Sequence, residues 1–189
     1  QANVQGKASH AGFNPEAGIH SIKAACEAIA TLPQGHIDKE TTANIGLING
    51  GEGINIVPSS CNIRGEIRSL NHEKALATAQ QYRDTFQNSA EKYGATLDWT
   101  QQIDIQAYET STEESIISRY VAACGLCDVE PKLIKTFGGS DNNVFSQHGI
   151  KGLVIANSMN NVHSCKEYAN VYEMQKVIEV LRVLVMEIE

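Results

Sequence analysis

The chain has 189 residues, 42% of them hydrophobic, and 22 acidic against 15 basic side chains leave a formal net charge of −7. That length holds one ordinary domain or two small ones. No apolar run approaches the ~20 residues of a membrane span, and no Lys/Arg cluster supplies the concentrated positive charge that binding phosphates requires, so a soluble globular protein with neither membrane nor nucleic acid as partner is expected. The five cysteines are odd in number and irregularly spaced, unlike a secreted disulfide framework, and point to a reducing cytoplasm. The chain begins with Gln, not Met, and carries no signal-peptide pattern, which fits a fragment of a longer protein.

In chain order, Ala2 to Ser9 reads as a short strand. Asn14-Pro15 offers an N-cap and first turn for a helix, with Ile19, Ile22, Cys26 and Ile29 at helical spacing. Ala43 to Asn49 reads as a strand, and Gly50-Gly51 as a turn. In Cys61 to Ser69, Ile63, Gly65 and Ile67 share one face, and Arg64, Glu66 and Arg68 the other. Asn71 caps a second helix with the stripe Leu76, Ala79, Tyr82, Phe86, Ala90 and Tyr93, closed by Gly94. Leu97 to Ile105 alternates as a last strand. Strand, helix, two strands, helix, strand predicts an α+β, ferredoxin-like unit: a four-stranded antiparallel sheet with two helices on one face.

The texture changes near residue 106. Ser111 and Glu114 form a capping box for a helix with Ile116, Ile117, Tyr120, Val121 and Cys124 inward. Lys132 to Thr136 and Lys151 to Ala156 read as strands, and Leu153-Val154-Ile155 as a run buried on both faces. Ser140 to His148 is a short helix closed by Gly149. Asn170 and Glu173 box a final helix with Val171, Met174, Val177, Ile178, Leu181 and Val185 facing in. Two strands are too few for a parallel sheet, so this is an incomplete α/β segment.

Six places could carry chemistry. His163 follows a strand and precedes a helix, where ligands collect in open α/β sheets and a neutral imidazole can bind zinc; on placement alone a solvated loop histidine is the commoner case. His10, at a turn, could donate a hydrogen bond to a developing oxyanion or be an exposed turn residue. His20, His36, His72 and His148 read as solvated. Asn55, beyond a glycine-rich turn, could hold a peptide carbonyl or be an ordinary turn asparagine. Arg64 and Arg68, with Glu66 between them, suit a substrate carboxylate or a cross-strand surface ion pair. Gly138, Gly139 and Ser140 open a helix whose free N–H groups could hold an anion. Cys124 and Cys127 form a CxxC with no second pair to complete a zinc site.

The ordered strings Gly6-Lys7-Ala8-Ser9-His10-Ala11-Gly12, Gly50 to Pro58, Gly138-Gly139-Ser140-Asp141 and Val162-His163-Ser164 with Glu167-Tyr168 resemble the peptidase T-like branch of the dinuclear zinc metallopeptidases. The resemblance runs over nearly the whole chain. It implies that residues 1–106 are a lid that also dimerises, and residues 107–189 the closing part of a catalytic domain. It implies that His163 is the last zinc ligand, that His10 reaches the partner subunit's active site and polarises the scissile carbonyl, that Asn55 and Arg68 bind the substrate backbone or carboxylate, and that Gly138, Gly139 and Ser140 line the cleft. Two zinc ions, a short peptide substrate and a homodimer are implied for the parent. The family's His-x-Asp motif, bridging Asp, Glu-Glu pair and further carboxylate ligand are absent from this sequence, so the chain alone is expected to be inactive. Gly53 stands where the family often has Ala. Cys165 and Lys166 stand where it often has Thr and Glu, a departure expected to loosen support around His163. Rival readings are an amidohydrolase of N-acyl amino acids in the same family, and a dimerisation module without catalysis.

Overall fold

The computed structural model describes residues 1–186, which divide into two compact units, Gln1–Ala107 and Tyr108–Glu189. The first contains β1 (Ala2–Gln5), β2 (Ser9–His10), α1 (Ser21–Thr31), β3 (Gly35–His36), β4 (Thr41–Gly50), β5 (Ile56–Val57), β6 (Ser60–Ser69), α2 (His72–Lys92) and β7 (Thr96–Trp99). Its main sheet has the order β3-β4-β6-β1-β7, antiparallel throughout. The four expected strands are its last four. The fifth, β3, is a two-residue edge piece pairing only Gly35 and His36 with β4, too short to leave a periodic signal in the sequence.

Alternation decides which face is covered. Ala2 and Val4 of β1, Ala43 of β4, and Cys61 and Ile63 of β6 are buried beneath Ala24, Ala25 and Ala28 of α1 and Tyr82, Phe86 and Ala90 of α2. Arg64 and Glu66 point to the open side. The alanine face of α1 lets the two helices approach closely; Ser89 Oγ of α2 donates to the Ala24 carbonyl at 2.7 Å. Asn71 caps α2 as expected, its Oδ1 accepting from the Lys74 N–H at 3.2 Å, and Gly94 (φ +72°) ends it in the left-handed conformation that glycine adopts at least cost.

Two expectations fail here. Asn14 makes no side-chain cap, and Pro15–Ala17 is only a 3-10 turn. The helix starts at Ser21, capped by His20, whose Nδ1 accepts from the Lys23 N–H at 3.2 Å. His20 is thus solvated and still structural. The last strand stops at Trp99, because its partner β1 begins at Ala2 and the ladder ends at the pair Ala2–Trp99. Ile103 and Ile105 stand 56% and 52% exposed.

The second unit holds α3 (Ser115–Leu126), α4 (Asn142–Gln147), β8 (Met159–Asn160), β9 (Tyr168–Ala169) and α5 (Val171–Met186). Its core is the contact of α3 with α5, through Ala123, Cys124, Val180 and Leu184, with Tyr120, Cys127, Val129, Ile155 and Val183 around them. Arg119 Nη2 donates to the Leu184 carbonyl at 3.1 Å. Cys124 and Cys127 are free thiols, Cys124 packed in this core.

The departures from the sequence reading are larger in this unit. The Ser111–Glu114 box does not form: α3 begins at Ser115, and Glu114 makes no side-chain cap bond. Residues 132–136 and 151–156 form no strand. A strand exists only where a neighbouring strand pairs with it; among the described residues no sheet includes either run, and the Gly152 carbonyl accepts from Thr110 Oγ1 at 2.7 Å. Val154, expected to be buried, is 51% exposed. Most telling is α5. Val180 and Leu184 face in, while Val171, Met174, Ile178, Leu181 and Val185 are exposed. The helix is apolar on two sides, and only one of them is covered by α3.

Candidate active site

In the first unit two of the candidate residues, His10 and Asn55, come together on paired segments. β2 pairs with β5, His10 opposite Ile56. The Ala11 N–H donates to the Asn55 carbonyl at 2.9 Å, and the Asn14 N–H to the His10 carbonyl at 3.1 Å. His10 and Asn55, 45 positions apart in sequence, thus sit on directly hydrogen-bonded backbone. Two glycines allow this. A Cβ on Gly6 would lie 2.1 Å from the Ile19 carbonyl oxygen, and one on Gly18 would lie 2.4 Å from Ser9 Oγ and 2.8 Å from Val57 Cγ1. The loop that closes behind them is pinned by Glu52, whose carboxylate accepts from the Ser59 hydroxyl.

The His10 side chain is held from two directions. Its Nδ1 accepts from the N–H groups of Gly12 at 3.1 Å and Phe13 at 3.2 Å, and the Phe13 ring stacks on the imidazole with centroids 4.3 Å apart and planes at 28°. Phe13 is otherwise 86% exposed. Neither contact follows from the sequence reading; a large aromatic three residues after a turn histidine was the available signal.

Arg68 lies elsewhere. Ser60 and Arg68 stand at opposite ends of β6, roughly 26 Å apart at the rise of a strand, with His10 and Asn55 beyond the Ser60 end. Arg68 donates to Glu66 from Nε and Nη2, each at 3.0 Å, an ion pair within one strand and not the cross-strand pair expected. At 51% and 58% exposure this pair contributes little stability.

In the second unit, Gly138, Gly139 and Ser140 precede α4. The N–H groups of Gly138 and Ser140 are not free for an anion: Thr136 Oγ1 accepts the first at 3.2 Å and Asn143 Oδ1 the second at 2.9 Å. With α4 only six residues long, the anion-holding expectation has no support from this geometry.

His163 sits in the loop closed by the hairpin β8–β9, in which Met159 pairs with Ala169 and Asn160 with Tyr168. Ser158, Asn161 and His163 all have positive φ (69°, 53° and 64°). Such conformations cost a residue with a Cβ roughly 1–2 kcal/mol and persist only where the surroundings hold them. The restraints here are the Glu167 carboxylate, which accepts from the His163 N–H at 2.7 Å, and Ser164 Oγ, which donates to the Asn161 carbonyl at 2.7 Å and accepts from the Lys166 N–H at 3.1 Å. Lys166 enters through its backbone, which any residue supplies, and Cys165 is exposed, so the loosening expected from these two side chains has no counterpart in the loop's hydrogen bonds. Glu167 has no role in the sequence pattern beyond its place four residues after His163; the structure gives it one.

Among the described residues no three His, Cys, Asp or Glu side chains come together as a metal site. Zinc takes about three or four protein ligands, so the described residues do not by themselves supply the dinuclear centre that the resemblance implies.

Residues 1–94 match the family described as the peptidase dimerisation domain, and this part of the chain belongs to that M20 family. Over 187 residues it is 32% identical to the uncharacterized protein YqjE of Bacillus subtilis, covering 99% of this chain and 50% of that one. The structure of aminopeptidase PepT from Bacillus cereus superposes with a TM-score of 0.86 at 33% identity, over 97% of this chain and 49% of the other. A more distant relative, the indole-3-acetyl-aspartic acid hydrolase of Enterobacter agglomerans, is 26% identical over 137 residues, 64% of this chain and 31% of its own length. The chain thus spans half or less of the length of these proteins. No described helix is long and apolar enough to cross a membrane.

Proposed function

We propose that this chain supplies the lid and the closing catalytic segment of a cytoplasmic M20 metallopeptidase that cleaves short peptides, and that the segment alone is inactive. The observation that carries the reading is the pairing that brings the His10 and Asn55 segments together, built onto a dimerisation domain and held by two close glycine approaches. There a neutral imidazole can donate a hydrogen bond to a carbonyl oxygen as it gains charge, and Asn55 can hold the neighbouring peptide group. In the parent, His163 would be one ligand of a pair of zinc ions whose other ligands come from outside this chain; zinc would supply the Lewis acid and the activated water of peptide hydrolysis. Gly138, Gly139 and Ser140 would line the cleft through their backbone.

Arg68 fits the same scheme at a different place. Glu66 fills its guanidinium fork as a substrate carboxylate would. A tripeptide spans only about 10 Å, far less than the length of β6, so His10 and Arg68 of one chain cannot hold the same substrate molecule. This supports a homodimer in which His10 serves the partner's active site.

The test is an assay of the full-length protein on tripeptides and on N-acyl amino acids, with zinc or cobalt added. Turnover of tripeptides, lost by about 10²–10³-fold in His10→Ala as for removal of an oxyanion donor, is expected. The similarity to indole-3-acetyl-aspartic acid hydrolase favours a second reading, an amidohydrolase of N-acyl amino acids; preference for those substrates would establish it. Turnover by the 189-residue chain alone would overturn the proposed division of labour, and a full-length protein inert on both substrates would leave a dimerisation module.

A further inference from the structure

We infer that the turn His10–Phe13 selects one tautomer of His10, with the proton on Nε2, and that Phe13 is the positioning residue that keeps the ring in register for it. A neutral imidazole has one N–H donor and one acceptor nitrogen, and which is which follows from the partners. Two backbone N–H groups, from Gly12 and Phe13, converge on Nδ1. Only an unprotonated Nδ1 can accept them, so the proton stands on Nε2. Nε2 is the nitrogen farther from the backbone, and the residue is exposed, so the donor projects away from the turn. A 180° flip about the Cβ–Cγ bond would swap Nδ1 for a carbon and leave both amides without an acceptor.

The stack with Phe13 works on the same degree of freedom. An 86% exposed phenylalanine contributes little through burial, yet its ring lies 4.3 Å from the imidazole and nearly parallel to it. That contact restricts rotation of the His10 ring, whose terminal torsion is otherwise broad. Gly12 is not needed for steric reasons: a Cβ there would meet His10 Cε1 at 3.5 Å, an ordinary contact. The two features at Phe13, its amide and its ring, act together: one names the acceptor nitrogen, the other holds it in place.

The consequence for catalysis rests on the proposal that His10 donates to the substrate carbonyl, but the tautomer can be read without it. The experiment is long-range ¹H–¹⁵N correlation of histidine-labelled chain near neutral pH, with His10 identified by the signals lost in His10→Ala. An unprotonated, pyridine-type Nδ1 and a protonated, pyrrole-type Nε2 are expected. In Phe13→Ala the two shifts should move toward a tautomer average, and Phe13→Tyr, which keeps the stack, should restore them. In the full-length protein Phe13→Ala should lower kcat about tenfold with KM little changed, a part of the 10²–10³ that follows loss of an oxyanion donor, and Phe13→Tyr should recover it. Because Phe13 is exposed, these variants should fold. A protonated Nδ1, or shifts indifferent to Phe13→Ala, overturns the inference whatever the activity. The expected tautomer together with undiminished kcat in His10→Ala upholds the inference and overturns the role proposed for His10.

Discussion

The two units of this chain bury their apolar residues to very different degrees. In residues 1–107 one sheet face is covered by two helices, and Val4, Cys61, Phe86 and Ala90 are essentially inaccessible. In residues 108–186 the buried apolar set reduces to Ile117 and the four-residue cluster between α3 and α5. Ile134, Val171, Ile178 and Val185, all at least 63% exposed, remain outside it. The difference teaches that sheet pairing, not apolar content, decides whether hydrophobic residues find cover: the first unit lays a five-stranded sheet beneath two helices, while in the second the described apolar runs join no such sheet.

The largest expected effect that tests this contrast is Phe86→Ala, which empties the middle of the first core and should cost about 3–5 kcal/mol, measured by urea denaturation. If the loss is below about 1 kcal/mol, the first unit is not the well-packed body described. Next comes a pair of changes on one helix. Leu184→Ala should cost about 2 kcal/mol, while Ile178→Ala on the exposed side of α5 should stay within about 0.5 kcal/mol in this chain. Equal losses would mean that both sides of α5 are covered. Asn71→Ala, which removes the cap of α2, should cost about 1 kcal/mol, with Asn71→Asp nearly neutral.

The smallest effect is a pH dependence at the helix pair of the first unit. Glu27 of α1 accepts from Lys92 Nζ at 2.7 Å and Tyr93 Oη at 2.6 Å, and these hydrogen bonds hold its carboxyl below the ordinary value of 4.5. A carboxyl depressed in the folded state contributes stability that is present above 4.5 and is lost as pH falls below it through the folded pKa. Glu27→Gln should therefore lower stability at neutral pH and flatten the acid limb of the stability profile. An unchanged acid limb would remove Glu27 from the α1–α2 contact.

Particular elements show what is legible in the chain. β6 and α2 can be read from sequence because their period and caps are local: alternation from Ile63 to Ile67, and Asn71 before a striped helix ending at Gly94. The start of α1 misleads because Asn14-Pro15 carries the right residues for a cap, while the chain spends them on a 3-10 turn and caps the helix with His20. The inward face of α5 misleads because the helix is apolar on two sides, and periodicity cannot choose between them. Among the candidate residues, His10 and Asn55 in the first unit and His163 in the second stand out through ordered motifs, whereas the contacts made by Phe13 and Glu167 do not, since a stacking partner and a carboxylate accepting a backbone N–H leave no composition signal.

By itself the sequence determined the strand and helix order of the first unit and the residue types available for chemistry, because alternation, helical stripes and caps depend on near neighbours in the chain. Only the tertiary structure decided that His10 and Asn55 lie on adjoining, hydrogen-bonded segments while Arg68 lies a strand length away, and that α5 leaves one apolar side open. Those outcomes depend on which distant backbone groups pair and which surfaces meet, and pairing energy between distant segments is not written in any local pattern.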